Sequence, residues 1–271
     1  MTARSEAMPA SAYASLPSGT FQSSSLTRGP WDHQHQHAGP PIALVCRALE
    51  HLAAQHQLTH ISRITANLLR PVPIAELTVE VAADYVGRNA GHFSAKLLAG
   101  GKEVARFTAL AQRENAFAIP ANLPGHPLPF APQTPDESPL VNFPFAGKHV
   151  GYNDLVEART AHGQFFNGPC AIWFRLRHPL LAGESPSPYQ RVAVAADSGN
   201  GISAILDFKS YSFVNSDLTI NLLRRPQGEW ICLEARTHLG PNGCALAESA
   251  LYDSCGLIGR ATQSLSVRLL K

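Results

Sequence analysis

Asp217, Thr237 and Gln263 are the side chains whose types and setting point to chemistry in this sequence. A carboxylate takes a proton, a hydroxyl donates and accepts, and a primary amide does both at fixed angles. The three emerge when the chain is compared with itself. Residues 216–224 (Ser-Asp-Leu-Thr-Ile-Asn-Leu-Leu-Arg) match residues 62–70 (Ser-Arg-Ile-Thr-Ala-Asn-Leu-Leu-Arg) at six of nine positions, with an offset of 154 residues. The same offset carries Arg106 and Thr108 onto Arg260 and Thr262, Leu97 onto Leu251 and Val79 onto Leu233. Solenoid repeats have periods of roughly 20–50 residues, so this is two copies of one domain in one chain. The offset places Asp217, Thr237 and Gln263 on Arg63, Ala83 and Ala109. Alanine has no side-chain donor or acceptor. One half therefore keeps a polar site and the other keeps the scaffold, which predicts one productive site per chain.

Strand parity weighs each candidate. Gln263 alternates in step with Ala261, Leu265 and Val267. It is thus an amide on an apolar face, where a missing partner costs about 1–3 kcal/mol; it serves a site or is satisfied by neighbouring backbone. Thr237 shares parity with Ile231, Leu233 and Ala235, and threonine is also an ordinary strand former. Asp217 shares parity with Thr219 and Asn221, a polar set, so alternation alone also allows it to face solvent. Arg63 has two readings, a phosphate ligand or half of an ion pair.

The elements that must position these groups follow from periodicity. Residues 1–20 are rich in Ser, Ala and Pro without an apolar run, and are expected to be a disordered tail. Gly29-Pro30-Trp31-Asp32 opens ordered structure. His33, His35 and His37 alternate, which would place them on one side of an extended segment, but no Cys, Asp or Glu cluster joins them at ligand spacing. A loop is favoured over a metal site, and His37 is a candidate for orienting substrate. Gly39-Pro40-Pro41 begins a helix, since proline fits the first turn. Ile42, Val45, Cys46, Leu49, Leu52 and Ala53 give it one apolar stripe to about residue 56. Its amino end carries unpaired amides and partial positive charge. With Pro40 and Pro41 lacking N–H groups, the amide of Gly39, or that of Ala38, is the candidate donor to an oxyanion; the other reading of Gly39 is a tight turn. Alternating strands follow at residues 61–69, 76–85, 92–98 and 103–112.

Eight prolines lie between Pro120 and Pro144, a semi-rigid linker. The second copy has strands near 155–160 and 171–178 and a helix capped by Ser187-Pro188. Strands at 217–223, 229–239, 244–252 and 257–269 complete it. The predicted layout is a tail over 1–20, a first domain over 21–115, a linker over 116–147 and a second domain over 148–271.

Composition narrows the function classes. Charged residues are 15% of the chain and the net charge is +2, so there is no basic footprint for nucleic acid. No run reaches the ~20 apolar residues of a membrane-spanning helix. Five cysteines without C-x-x-C spacing read as reduced thiols of a cytoplasmic protein; Arg4 and the early serines are a weak signal for organelle import. No Gly-x-Ser-x-Gly elbow, P-loop or dinucleotide fingerprint occurs. No cofactor is expected, and assembly of several copies is left open.

Helix followed by antiparallel strands, twice, with a proline-rich linker, resembles an α+β double hotdog. Gly29-Pro30-Trp31-Asp32, His37-Ala38-Gly39-Pro40-Pro41, Asn67-Leu68-Leu69-Arg70-Pro71 and Gly259-Arg260-Ala261-Thr262-Gln263-Ser264 resemble the thioesterase-like, type II acyl-CoA thioesterase superfamily. So does Asp217 ahead of Leu222-Leu223-Arg224-Arg225-Pro226. The resemblance covers roughly residues 21–271. It implies an Asp, Thr and Gln of the second hotdog around the hydrolytic water, here Asp217, Thr237 and Gln263, with the oxyanion against Gly39. The implied substrate is an acyl-CoA or acyl-carrier thioester. Alternatives within the resemblance are dehydration or chain release on a carrier protein, or acyl-thioester binding without turnover.

Overall fold

The computed structural model describes residues 6–118, 132–143 and 149–270. The first half contains β1 (Tyr13–Ser15), β2 (Phe21–Ser23), α1 (Gly39–Gln55), β3 (His60–Leu68), β4 (Glu76–Val86), β5 (Ala90–Ala99) and β6 (Lys102–Gln112). The second contains α2 (Tyr152–Leu155), β7 (Val156–Gly163), β8 (Cys170–Leu176), α3 (Pro188–Ala196), α4 (Gly199–Ile202) and β9 (Tyr211–Asn215). It is completed by β10 (Asp217–Leu222), β11 (Ile231–Leu239), β12 (Cys244–Asp253) and β13 (Gly256–Leu269).

All strands join one antiparallel sheet in the order β1-β2-β4-β5-β6-β3-β10-β13-β12-β11-β8-β7, with β9 also on β13. The central order is a palindrome: β4-β5-β6-β3 of one half is mirrored by β10-β13-β12-β11 of the other. The halves meet at β3 and β10, where Thr65 lies opposite Thr219. Their hydroxyls are 3.1 Å apart and their positions differ by 154. A pseudo-twofold axis thus passes between the two residues that the sequence offset relates. This is the double hotdog: helices on one face of a continuous sheet, the α+β class expected.

Alternation decides which face each side chain takes. Ile64, Ala66, Leu218, Ile220 and Ala261 are buried under the helices. α1 and α3 run antiparallel beneath the sheet, so close that a Cβ on Gly39 would collide with the Val194 carbonyl oxygen. That contact requires glycine at the start of α1.

The tail expectation is corrected. Residues 1–5 lie outside the described residues, but residues 6–20 are held against the rest of the chain. Tyr13 is fully buried, its hydroxyl donates to Gln36 Oε1 at 2.6 Å, and its N–H donates to the Leu180 carbonyl at 2.8 Å. One large aromatic and a backbone ladder anchor a segment whose composition reads as unstructured. Of the expected linker, residues 119–131 and 144–148 lie outside the described residues. Within the rest, Val141 N–H donates to Ala158 O and Thr160 N–H to Pro139 O, so this stretch covers the β7 edge of the sheet.

Candidate active site

The second helix breaks where the first continues. α3 ends at Ala196 and is followed by Asp197-Ser198-Gly199-Asn200-Gly201, five poor helix formers in a row. The break turns Asp197 toward the start of α1. Its side chain is 5% exposed and is surrounded by donors. Gly39 N–H donates to Oδ2 at 3.1 Å, and His37 Nδ1 lies 3.0 Å from the same oxygen. Asn215 Nδ2 donates to Oδ1 at 2.8 Å. Gln263 Nε2 bridges the Asp197 main-chain oxygen at 3.2 Å and Oδ1 at 3.3 Å. The first half supplies two of these groups and the second supplies the rest.

His37 is held as firmly as the carboxylate. Its ring stacks on Tyr152 with centroids 3.7 Å apart and planes 3° from parallel. Burial pushes the imidazole below its ordinary pKa, against the opposing pull of Asp197. The ring is therefore neutral near pH 7, and its Nδ1 lies against both the Asp197 carboxylate at 3.0 Å and the Gly39 N–H, which donates toward it at 3.2 Å. The Tyr152 hydroxyl donates to the Val194 carbonyl at 2.9 Å and lies 3.0 Å from Ser198 Oγ. Burial raises its pKa and keeps it protonated.

Two of the three expected polar groups share the inner face of the sheet. Across β11, β12 and β13, Thr237 pairs with Ala247 and Ala247 with Gln263. The small alanine leaves room for α4 over the row. Gln263 Oε1 accepts from Asn200 N–H at 3.0 Å, so its amide is fixed at both ends. Thr237 Oγ1 lies 2.7 Å from Ser203 Oγ, which donates to the Gly199 carbonyl at 2.9 Å. Ser203's proton being used there, Thr237 is the donor of the pair, and it holds α4 from behind.

Asp217 does not join them. It pairs with Asn67 across β3 and β10, in parity with Thr219, on the sheet face away from the helices. Its Oδ1 accepts from Ser264 N–H at 2.6 Å, at the point where β13 leaves β10 and takes up β9. The solvent-side alternative that alternation allowed for Asp217 is the one realised. The carboxylate that lies beside Gln263 is instead Asp197, at the carboxyl end of a helix where the dipole disfavours an anion.

Arg63 is likewise on the outer face, opposite Asn221. That pair is the pseudo-twofold counterpart of Asn67 and Asp217. Its Nε is buried without a hydrogen-bond partner among the described residues, and it does not border the cavity at Asp197. The Gly39 amide, expected to face an oxyanion, is directed at the Asp197 carboxylate. Among the described residues no group of three or more His, Cys, Asp or Glu is placed to hold a metal. His35 pairs with Asp32 at 2.8 Å, and the ring of His33 packs on that of His149.

Asp197, Gln263, His37 and Asn200 border a cavity of about 600 Å³ whose remaining described walls are largely apolar and aromatic. This volume suits a ligand of small-molecule size. Asn200 Oδ1 is buried there without a partner among the described residues, leaving an acceptor free. Arg70 is the one Lys or Arg among the described lining residues.

The comparisons bear on this geometry. Residues 27–112 match the model of the acyl-CoA thioesterase N-terminal domain, and residues 127–267 match that of the acyl-CoA thioesterase C-terminal domain. The chain belongs to the acyl-CoA thioesterase family. It is a thioester hydrolase of that family, with the two family domains forming the two hotdogs. Its fold is similar to that of a candidate thioesterase II from Thermobifida fusca YX, with 15% identity, 96% of each chain covered and a TM-score of 0.74. It is also similar to a hot dog protein of unknown function from Alicyclobacillus acidocaldarius, with 17% identity, 97% of each chain covered and a TM-score of 0.69. A third similar structure is an acyl-CoA thioesterase II from Mycobacterium marinum, with 15% identity, 96% of each chain covered and a TM-score of 0.61. No curated protein sequence matches the chain.

Proposed function

We propose that this family member hydrolyses an acyl-CoA to the free acid and coenzyme A, using a water activated at Asp197. The observation that carries this is the Asp197 carboxylate, buried yet bordering an acyl-sized cavity. Gly39, His37, Asn215 and Gln263 all hold it in place. Asp197 accepts a proton as the water oxygen bonds to the thioester carbon. The carbon–sulfur bond then breaks, and the proton held by Asp197 goes to the departing thiolate, which restores the carboxylate. Gln263 fixes Asp197 and α4, and Thr237 supports α4 through Ser203. Arg70, in place of Arg63, is the cation available to the coenzyme phosphates. All five cysteines are free thiols, which supports a cytoplasmic setting.

Thiol release from an acyl-CoA panel tests the reading, with acyl carrier protein thioesters in parallel. Turnover of acyl-CoA that is lost in Asp197→Asn is the expected result. Turnover only on the carrier protein would overturn the coenzyme A assignment. A folded protein that binds acyl-CoA without turnover would overturn hydrolysis.

A further inference from the structure

The cavity beside Asp197 has an unusual wall. Six of the chain's 12 phenylalanines border it: Phe143, Phe165, Phe166, Phe174, Phe208 and Phe213. Five of these, with Trp31, form one connected run of rings. Phe143 meets Phe165 at 5.4 Å and 78°, and Phe165 lies 3.9 Å from Phe166. Phe166 meets Phe208 at 5.0 Å and 71°, and Phe208 meets Phe213 at 5.4 Å and 68°. Trp31 packs on Phe208 at 4.7 Å. These rings come from separate segments of the chain and converge on one space. Phe143, Phe165, Phe166, Phe208 and Phe213 are only half-buried.

Phe166 adds a second, independent observation. Its φ is 63°, in the left-handed region, which a bulky side chain rarely enters. The conformation is held by its N–H on the Ile202 carbonyl, by Asn167 N–H on Gln164 O, and by Gly168 N–H on Ala204 O. The loop after β7 is thus bound to the segment that carries Asn200, and it turns the Phe166 ring toward Phe208. Backbone strain of this kind persists where the surroundings enforce it, and it concentrates at ligand sites.

We infer that the acyl group taken by this cavity carries an aromatic ring, set two or three carbons from the thioester carbonyl. Edge-to-face ring pairs at 4.5–7 Å gain energy beyond area burial, and partly open rings already in that geometry offer it to one more ring. A linear alkyl chain gains only in proportion to the area it covers. The spacing comes from β9: Phe213 lies two residues from Asn215, whose amide holds Asp197, and two strand residues span roughly 6–7 Å. The inference rests on the thioester-hydrolase reading of the same cavity.

Three nine-carbon substrates test it: 3-phenylpropionyl-CoA, 3-cyclohexylpropionyl-CoA and nonanoyl-CoA. The expected result is a kcat/KM at least tenfold higher for the phenyl substrate than for either of the others. Phe166→Gly, which suits the left-handed backbone, and Phe208→Leu should each cut the phenyl rate several-fold more than the nonanoyl rate. Nonanoyl- or cyclohexyl-CoA turned over as fast as the phenyl substrate would overturn the inference, as would variants that lower all three rates equally. The same three tails on thioether analogues, compared by calorimetric Kd, separate the two readings. A ring preference in Kd without turnover of any thioester would support the aromatic pocket and sink the hydrolase reading. Turnover with no ring preference in either measurement would sink the aromatic pocket alone.

Discussion

The two ends of the antiparallel helix pair are related by the pseudo-twofold, yet among the described residues it is the Asp197 end, and not the Glu50 end, that borders the cavity. At one end Gly39, the first residue of α1, gives its N–H to Asp197, just past the end of α3. At the other end Ser187, the cap of α3, gives its hydroxyl to Glu50 at 2.7 Å, and Gln190 Nε2 approaches the same oxygen at 3.3 Å. Glu50 therefore stands where Asp197 stands. The difference is the helix beneath it. α1 continues through Glu50 to Gln55, whereas α3 stops and leaves a bend lined with small residues. The sheet completes the contrast: where the second half presents Gln263 and Thr237, the first presents Ala109 and Ala83. A break in one helix opens space, and polar residues beneath it give that space a chemistry. In the first half the helix is intact, Ala109 and Phe93 fill the core there, and Ala83 lies exposed at the margin.

The largest expected effect follows from removing the working acid. Asp197→Asn keeps the shape and the hydrogen bonds to one oxygen, gives up those to the other, and loses the base. Thiol release should fall about 10²–10⁴-fold with the fold intact by circular dichroism. Asp217→Asn, on the far face, should keep turnover within a few-fold. A large loss in Asp217→Asn with Asp197→Asn active would reverse the assignment. Next comes Gly39→Ala. Its methyl would meet the Val194 carbonyl, and overpacking of this kind costs about 1–3 kcal/mol. Thermal unfolding should show that loss, and activity should drop as the Asp197 contact is pushed apart.

A smaller effect concerns His37. Its pKa is lowered by burial, so below about pH 6.5 the unfolded chain takes up a proton that the folded chain refuses. His37 thus costs no stability in this way above pH 6.5, and stability falls as pH drops toward its folded value. Thermal melts of His37→Gln should lose less between pH 7 and 5 than those of the wild type; parallel curves would mean that the imidazole is not held neutral. The smallest effect belongs to Glu50. Burial raises its pKa, against hydrogen bonds from Ser187 and Gln190. The folded chain keeps the proton above the ordinary carboxylate value, so stability declines as pH rises through the raised value. Glu50→Gln should remove that decline and leave turnover unchanged; a loss of turnover would make the second junction functional after all.

The sequence carried the fold far because duplication leaves two chances to see each strand. The offset aligned Thr65 with Thr219, and the strands that carry them are the two that meet. Parity placed Gln263 and Thr237 on the inner face, since their neighbours are apolar at every second position. Asp197 was not legible in the same way. It lies outside the offset, because the helices have diverged in length, and strand parity says nothing about a helix end. Its signal was local: an acid at the carboxyl end of a helix followed by Ser-Gly-Asn-Gly. Asp217 drew attention through its strand match, and its polar parity with Thr219 and Asn221 was the warning. Tyr13 was missed because one buried ring outweighs the composition of the segment around it. β9 was missed because its offset counterpart in the first half includes the turn between α1 and β3.

One working junction per chain is the central claim, and stoichiometry tests it most directly. Calorimetric titration with a non-hydrolysable thioether analogue of acyl-CoA should give one tight site per chain. Filling the bend with Gly201→Phe should weaken binding at that site. Two equal sites per chain, or one site indifferent to that substitution, would contradict the account.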